Sequence, residues 1–301
     1  MVPMENIVID PSLVSSLENH RKKALVLFVV YVVIASIIGL AGFFLIPFSL
    51  IMEDVNEATK GLLVGLGFFL FLFGTPAFIF LAIHAKNRYL KEFEDTFSPR
   101  FAEGHYDEFR FTFKIDLEIL EKRVSLPLAV KPDPDHASFY EGKVQGLPFF
   151  SFSYCHAKAG KGHPDSAFGR YIELKLPSQN NPEILIQAKK SKKMFKIAPL
   201  KDRFETESIA FNEDHEMSAS SHEDALKVIT PAFLDGLNLL NQEYGGHLSL
   251  YMKGDKLVLY FEDYPSFVLA LNAQTTEPAL EAFRKEVLLP YRVITALHIK
   301  A

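Results

Sequence analysis

"ALVLFVVYVVIASIIGLAGFFLIPFSLIM", residues 24–52, contains no Asp, Glu, Lys or Arg. A helix needs about 20 mostly apolar residues to cross about 30 Å of hydrocarbon, and this run is long enough. A second run without those four residues follows at 61–85, "GLLVGLGFFLFLFGTPAFIFLAIHA". A core helix of a soluble protein keeps one polar side for water, and neither run has such a side. Two transmembrane helices are therefore predicted, near 24–47 and 62–84. The polar stretch before the first run and the lack of a small-residue cleavage site after it do not fit a cleaved signal peptide, so the first helix is expected to be retained.

The flanks orient the pair. Arg21, Lys22 and Lys23 precede the first run and Lys86, Arg88 and Lys91 follow the second, whereas the connection carries Glu53, Asp54 and Glu57 against Lys60. Lys and Arg accumulate on the cytoplasmic side, which places both termini there. The single cysteine, Cys155, suits a reducing compartment. The net charge of −5 does not point to nucleic acid as a partner. A chain of 301 residues has room for two domains. The expected organisation is a cytoplasmic segment 1–23, a two-helix anchor 24–84, a stalk helix and linker 85–135, and a soluble domain 136–301.

Beyond the anchor, "EFRFTFKID" (108–116) alternates with period two, as a half-buried strand does, and "LEILEKRV" (117–124) reads as a short helix. Further strands come in pairs. The stretches 138–146 and 148–157 flank a Gly-Leu-Pro turn, 170–177 and 183–190 flank "SQNNP", and 247–253 and 256–263 flank Gly254-Asp255. The C-terminal helical pattern contains Pro290, expected to kink or break it. The fold class is α+β: two N-terminal transmembrane helices, then a cytoplasmic, largely antiparallel sheet with packed helices.

"EDALKVITPAFLDGLNLL" (223–240) has a proline in an amphipathic pattern. Proline costs about 3 kcal/mol inside a helix but little at its first position. Thr230 can cap that position, so the reading is two helices with a bend, the second starting at Pro231. Leu226, Ile229, Phe233, Leu234, Leu237 and Leu240 are then expected in one core. In the segment 211–237, Phe211, Asn212, Glu223, Asp224, Ala225, Ile229, Thr230, Pro231 and Phe233 fall in an order that resembles a bacterial membrane-associated family, domain of unknown function 3137. "YEGKVQGLPFFSFSY" (140–154) is similar to the family's glycine-containing hairpin. The segment departs from the family's pattern in having Ile229 for Leu, and the chain departs from it at 136–138, which is not acidic, and around Gly169. The resemblance implies structural roles for Phe211, Asn212, Ala225, Thr230, Pro231 and Phe233, a bacterial cytoplasmic membrane, and no catalytic residues.

No motif defines an active site. Cys155, His156 and His163 lack a second ligand pair for zinc, so no metal and no cofactor is expected. "AGKGHPDS" (159–166) lacks P-loop spacing. His215 and His222, among Glu213, Asp214, Glu216, Glu223 and Asp224, could do acid-base work, but a solvated turn with Ser220 or Ser221 capping the next helix explains them. Lys189, Lys190, Lys192, Lys193 and Lys196 fall within eight residues and suit anionic headgroups. Gly61 and Gly65 have the spacing of a helix contact. The leading reading is a membrane-anchored protein whose cytoplasmic domain engages an unidentified protein partner. A lipid-binding domain using the lysine cluster is second, and an enzyme on a membrane-proximal substrate third.

Overall fold

The structure, a computed structural model, describes residues 10–52, 55–113, 117–124, 138–157, 166–190, 199–244, 247–262, 264 and 276–300, without the side chains of 117, 121, 154–157 and 166–168. It divides into two compact units, 1–93 with 269–277, and 94–268 with 278–301.

The first unit is a helical hairpin. Helix α1 (Pro11–Ile51) is capped by Asp10, whose carboxylate accepts the Ser12 N–H at 2.8 Å. Its polar first turns are therefore continuous with the apolar run. Helix α2 covers Glu57–Ala102, its last turns, from Glu94, belonging to the second unit. In each helix only 11% of the most apolar 18-residue window is buried. Side chains such as Phe43, Phe48, Leu62 and Phe80 point outward, and both helices are long and apolar enough to cross a membrane.

Arg21, Ala35, Gly42 and Ser49 are buried in α1, and the half-buried Phe28 completes a seven-residue spacing. That spacing keeps one seam of a helix facing a neighbour. The helices touch through glycine. A side-chain carbon on Gly42 would lie 2.7 Å from the Gly67 carbonyl oxygen, and one on Gly67 would lie 2.9 Å from the Gly42 carbonyl oxygen. Gly61 and Gly65 have nothing within 4 Å, so they do not make the intramolecular contact their spacing suggested. Two π-helical turns, Leu70–Gly74 and Phe93–Phe97, each precede a hydroxyl-proline pair, Thr75-Pro76 and Ser98-Pro99. Proline frees a carbonyl in the preceding turn. The Ser98 hydroxyl takes the Glu94 carbonyl at 2.8 Å, and α2 passes Pro99 without a break.

The second unit is built on one nine-stranded sheet ordered β1-β2-β3-β4-β9-β8-β5-β7-β6, with every pair antiparallel. The strands are β1 (Glu108–Thr112), β2 (Phe139–Val144), β3 (Leu147–Ala157), β4 (Ser166–Lys175), β5 (Ile184–Ala188), β6 (Asp202–Phe204), β7 (His215–Ala219), β8 (His247–Lys253) and β9 (Lys256–Glu262). β1 is part of this sheet, so the sheet begins ahead of residue 136. The β2–β3 turn falls at Gln145-Gly146, both with positive φ, rather than at Gly-Leu-Pro. β4 and β5 are not partners, because the β8–β9 hairpin lies between them. β4 pairs with β9 in seven registered positions, a longer ladder than β5 could offer with its five residues.

Five helices complete the unit: α3 (Leu117–Arg123), α4 (Ile209–Asp214), α5 (His222–Val228), α6 (Pro231–Tyr244) and α7 (Glu277–Ala296). Ser221 caps α5 by accepting the Asp224 N–H at 3.3 Å, and Thr230 caps α6 through the Phe233 N–H at 3.2 Å, with Pro231 at its first position. Ile229, Phe233, Leu234, Leu237 and Leu240 are buried, but Leu226 is 50% exposed, since the bend turns its side of α5 to solvent. Helices α6 and α7 cover one face of the sheet, where Tyr244 meets Phe261 and Phe283 meets Phe111. A side chain at Gly236 would run into the Ala296 carbonyl, which is why α6 approaches α7 so closely there. The other face carries an aromatic core of Phe139, Phe150, Phe152, Tyr171 and Tyr260, met by Leu120 of α3.

Helix α7 does not break at Pro290. Proline denies the Glu286 carbonyl its helical partner, and the Tyr140 hydroxyl replaces it at 2.5 Å. The Tyr106 hydroxyl donates to the next carbonyl, that of Val287, at 2.5 Å. Burial pushes the Tyr140 hydroxyl up to about 12, so it stays a donor at neutral pH. The side chain of Glu286 turns to Arg170 on β4, and both are essentially buried. Ser138 Oγ lies 2.9 Å from the carboxylate and 2.7 Å from the guanidinium, which also donates to Ser151 at 3.1 Å and lies 4.8 Å from the Tyr140 ring. This network joins α7 to the sheet.

Candidate binding cleft at the sheet edge

The cleft is built around α4 and β7. Ser208 caps the six-residue α4 by accepting the Phe211 N–H at 3.4 Å. Asn212 closes the preceding loop with three hydrogen bonds to Thr206: its Oδ1 accepts from the backbone N–H and the hydroxyl, both at 3.0 Å, and its Nδ2 donates to the carbonyl at 2.7 Å. Phe211 is buried and stacks on the His215 ring at 4.3 Å. Ala225 and Phe233 are buried under α5 and α6. Phe211 and Asn212 thus stand on α4 directly ahead of β7, while Thr230, Pro231 and Phe233 stand at the start of α6.

Cross-strand partners share a face of a sheet. Gln187 opposes Glu216, and Ser218 opposes Arg203, so β5, β7 and β6 present these four side chains together. With Lys189 and Glu205 they line a cleft of about 330 Å³. It is the polar end of the face whose centre is the aromatic core, since Leu185 of that core opposes Ser218. Arg203, Glu205 and Glu216 make no ion pair among the described residues.

Two of the five cluster lysines are described, both tied to α4, and Lys189 lines the cleft. Lys189 Nζ donates to the Asn212 carbonyl at 2.6 Å, and Lys190 Nζ is 4.0 Å from Asp214. Lys192, Lys193 and Lys196 lie outside the described residues, as does His163; of Cys155 and His156 only the backbone is described, at the end of β3. His215 and His222 stand at the start of β7 and the start of α5, and they do not converge. His215 Nδ1 is 3.3 Å from the Phe211 carbonyl, and burial holds its pKa below the usual histidine value, so it is neutral at pH 7. The His222 ring packs 4.9 Å from Phe204. No group of three or more His, Cys, Asp or Glu suited to a metal occurs among the described residues. Arg203, Glu205 and Gln187 were missed from the sequence, since only strand register brings 187, 203 and 216 together.

Fold and cleft define an antiparallel α+β unit behind two helices long and apolar enough to cross a membrane. Residues 169–298 match the model of the family described as protein of unknown function (DUF3137), in agreement with the resemblance carried by residues 211–237. The hairpin at 140–154 is outside the matched residues. No curated protein matches the chain. Among solved structures, the crystal structure of the mycobacterial trehalose monomycolate transport factor A, TtfA, is 9% identical, with 69% of this chain covering 96% of that one at a TM-score of 0.39. A likeness of that order carries no argument about what this chain does.

Proposed function

We propose that the chain is a membrane-anchored binding protein whose second unit takes an extended segment of a protein partner along the outer edge of β6. The observation that carries this reading is the difference between the two ends of the sheet. At β1, the Glu94 carboxylate takes the Phe113 N–H at 2.6 Å and the Thr112 hydroxyl at 3.0 Å, so that edge is covered by its own chain. At the other end, β6 pairs with β7 and, among the described residues, with no other strand. An open edge strand accepts an extended peptide by main-chain hydrogen bonds, and a neighbouring cleft supplies selectivity. The cleft offers charges of both signs, Arg203 against Glu205 and Glu216, with no ion pair among the described residues, which suits a peptide of mixed charge better than an anionic headgroup. A photo-crosslinking residue replacing Arg203 in the full-length chain is expected to give a discrete protein adduct in cells, and one replacing the exposed Lys122 on α3 none. No adduct at 203, or the same adduct at both positions, would reject the reading.

The anchor is proposed to cross a bacterial cytoplasmic membrane with the second unit on the cytoplasmic side, as the Lys and Arg flanks and the family resemblance imply. The helices are joined by residues 52–56 alone, so the far side carries almost no chain. In a Cys155→Ser background, a membrane-impermeant maleimide is expected to label Asn56→Cys in intact cells and Lys122→Cys only after lysis. Labelling of Lys122→Cys in intact cells would reverse the orientation.

A further inference from the structure

The folded hairpin brings together cations that are more than sixty residues apart in sequence. His20 Nδ1 and Glu92 Oε1 are 2.6 Å apart, so the Lys22-Lys23 pair of α1 stands beside Lys86, Arg88 and Lys91 of α2. All five are exposed, because the buried side of each helix at this level is taken by Arg21 on α1 and by Ala85 and Tyr89 on α2. Two carboxylates at this level are already engaged: Glu18 holds Arg21 at 2.7 Å and stands 3.8 Å from Lys22, and Glu92 holds His20. Lys23, Lys86, Arg88 and Lys91 have no acidic partner among the described residues.

Their height is the second observation. The outermost exposed apolar side chains at this end are Val26 and Ile83. At about 1.5 Å per residue, Lys22, Lys23, Lys86 and Arg88 lie roughly 5–8 Å further out, and Lys91 about 12 Å, within reach of its own flexible stem. The headgroup layer outside the hydrocarbon is itself roughly 5–8 Å deep on each side. We infer that Lys22, Lys23, Lys86, Arg88 and Lys91 form a collar around the hairpin that gathers anionic phospholipid headgroups on this side of the membrane. The collar rests on the reading that the two helices span the bilayer. Arginine binds a phosphate through two parallel hydrogen bonds and lysine as a point charge, so the recognised group is the lipid phosphate, with net negative charge as the selecting property.

The test uses the full-length protein reconstituted into phosphatidylcholine vesicles containing a minority of phosphatidylglycerol. Flotation after an alkaline carbonate wash comes first, because a protein stripped from the vesicles would reject the spanning reading rather than the collar alone. For protein that floats, spin-labelled phosphatidylglycerol and phosphatidylcholine report which lipid is immobilised at its surface. Several-fold enrichment of phosphatidylglycerol is expected, falling toward its bulk share at high salt. It should vanish in K22Q/K23Q/K86Q/R88Q/K91Q and persist in K22R/K23R/K86R/K91R. Equal immobilisation of the two lipids by the wild type, or enrichment that survives the glutamine variant, overturns the collar. If the glutamine variant does not insert, the wild-type salt titration decides alone, and salt-independent enrichment counts against it.

Discussion

Arg170→Met is expected to lower the stability of the sheet unit by about 3–5 kcal/mol, the range for removing one partner of a buried ion pair. The substitution keeps much of the side chain's volume but leaves the Glu286 carboxylate buried without its cation, the Ser138 hydroxyl still donating to it. Replacing both partners, Arg170→Met with Glu286→Leu, is expected to recover most of the loss. Two desolvated charges then become two apolar groups, and such exchanges are often neutral or stabilising. Urea unfolding of the full-length chain in detergent micelles, followed by tyrosine fluorescence because the sequence has no tryptophan, provides the measurement. A loss under about 1 kcal/mol in the single variant would show that water or a rearranged side chain satisfies Glu286, since uncompensated buried charge costs more than that. A double variant as unstable as the single one would locate the cost in packing.

The second large effect concerns the hairpin. A Gly39→Cys side chain would place its β-carbon 4.0 Å from that of Thr75, within the disulfide range of about 3.5–4.5 Å. In a Cys155→Ser background, Gly39→Cys with Thr75→Cys is expected to cross-link readily under a mild oxidant. Adding Gly42→Leu and Gly67→Leu is expected to slow that cross-link by about tenfold or more. Leucine cannot fit where the two backbones approach this closely, and in lipid no hydrophobic force between helices compensates for lost backbone contact. Gly61→Leu with Gly65→Leu is expected to leave the rate unchanged, since nothing lies within 4 Å of either glycine. The reverse pattern would mean that the helices pack through Gly61 and Gly65. Equal slowing by both pairs would mean that any added bulk disturbs the hairpin.

Pro231 and Pro290 show how far a local reading reaches. At Pro231 everything needed was adjacent: a capping threonine before it and an apolar stripe after it, and the structure has a helix starting there. At Pro290 the same local rule anticipated a kink or a break, yet α7 continues: Tyr140, 146 residues from Glu286, supplies the hydroxyl for the carbonyl that the missing N–H leaves open, and Tyr106, 181 residues from Val287, donates to the next carbonyl. Gly61 and Gly65 match a spacing that glycines produce often. The contact itself uses Gly42 and Gly67, one from each helix, and no pattern within a single helix can reveal such a pairing. The cleft was partly legible: Lys189 stood out within a charge run, while Arg203 and Glu205 are ordinary residues until β6 pairs with β7.

The sequence by itself determined the two apolar helices, the fold class, the hairpins with their own turn residues, and the helix that starts at Pro231. Each depends on forces that act over a few residues: apolar transfer along a run, a capping hydrogen bond, the φ of a turn. Only the tertiary structure decided that β8 and β9 separate β4 from β5, that Arg170 meets Glu286 across 116 residues, and that cations from both ends of the hairpin stand at one level. Those outcomes follow from non-local pairing, in which the chain closes long loops whose cost varies slowly with length, and side-chain complementarity selects the partner.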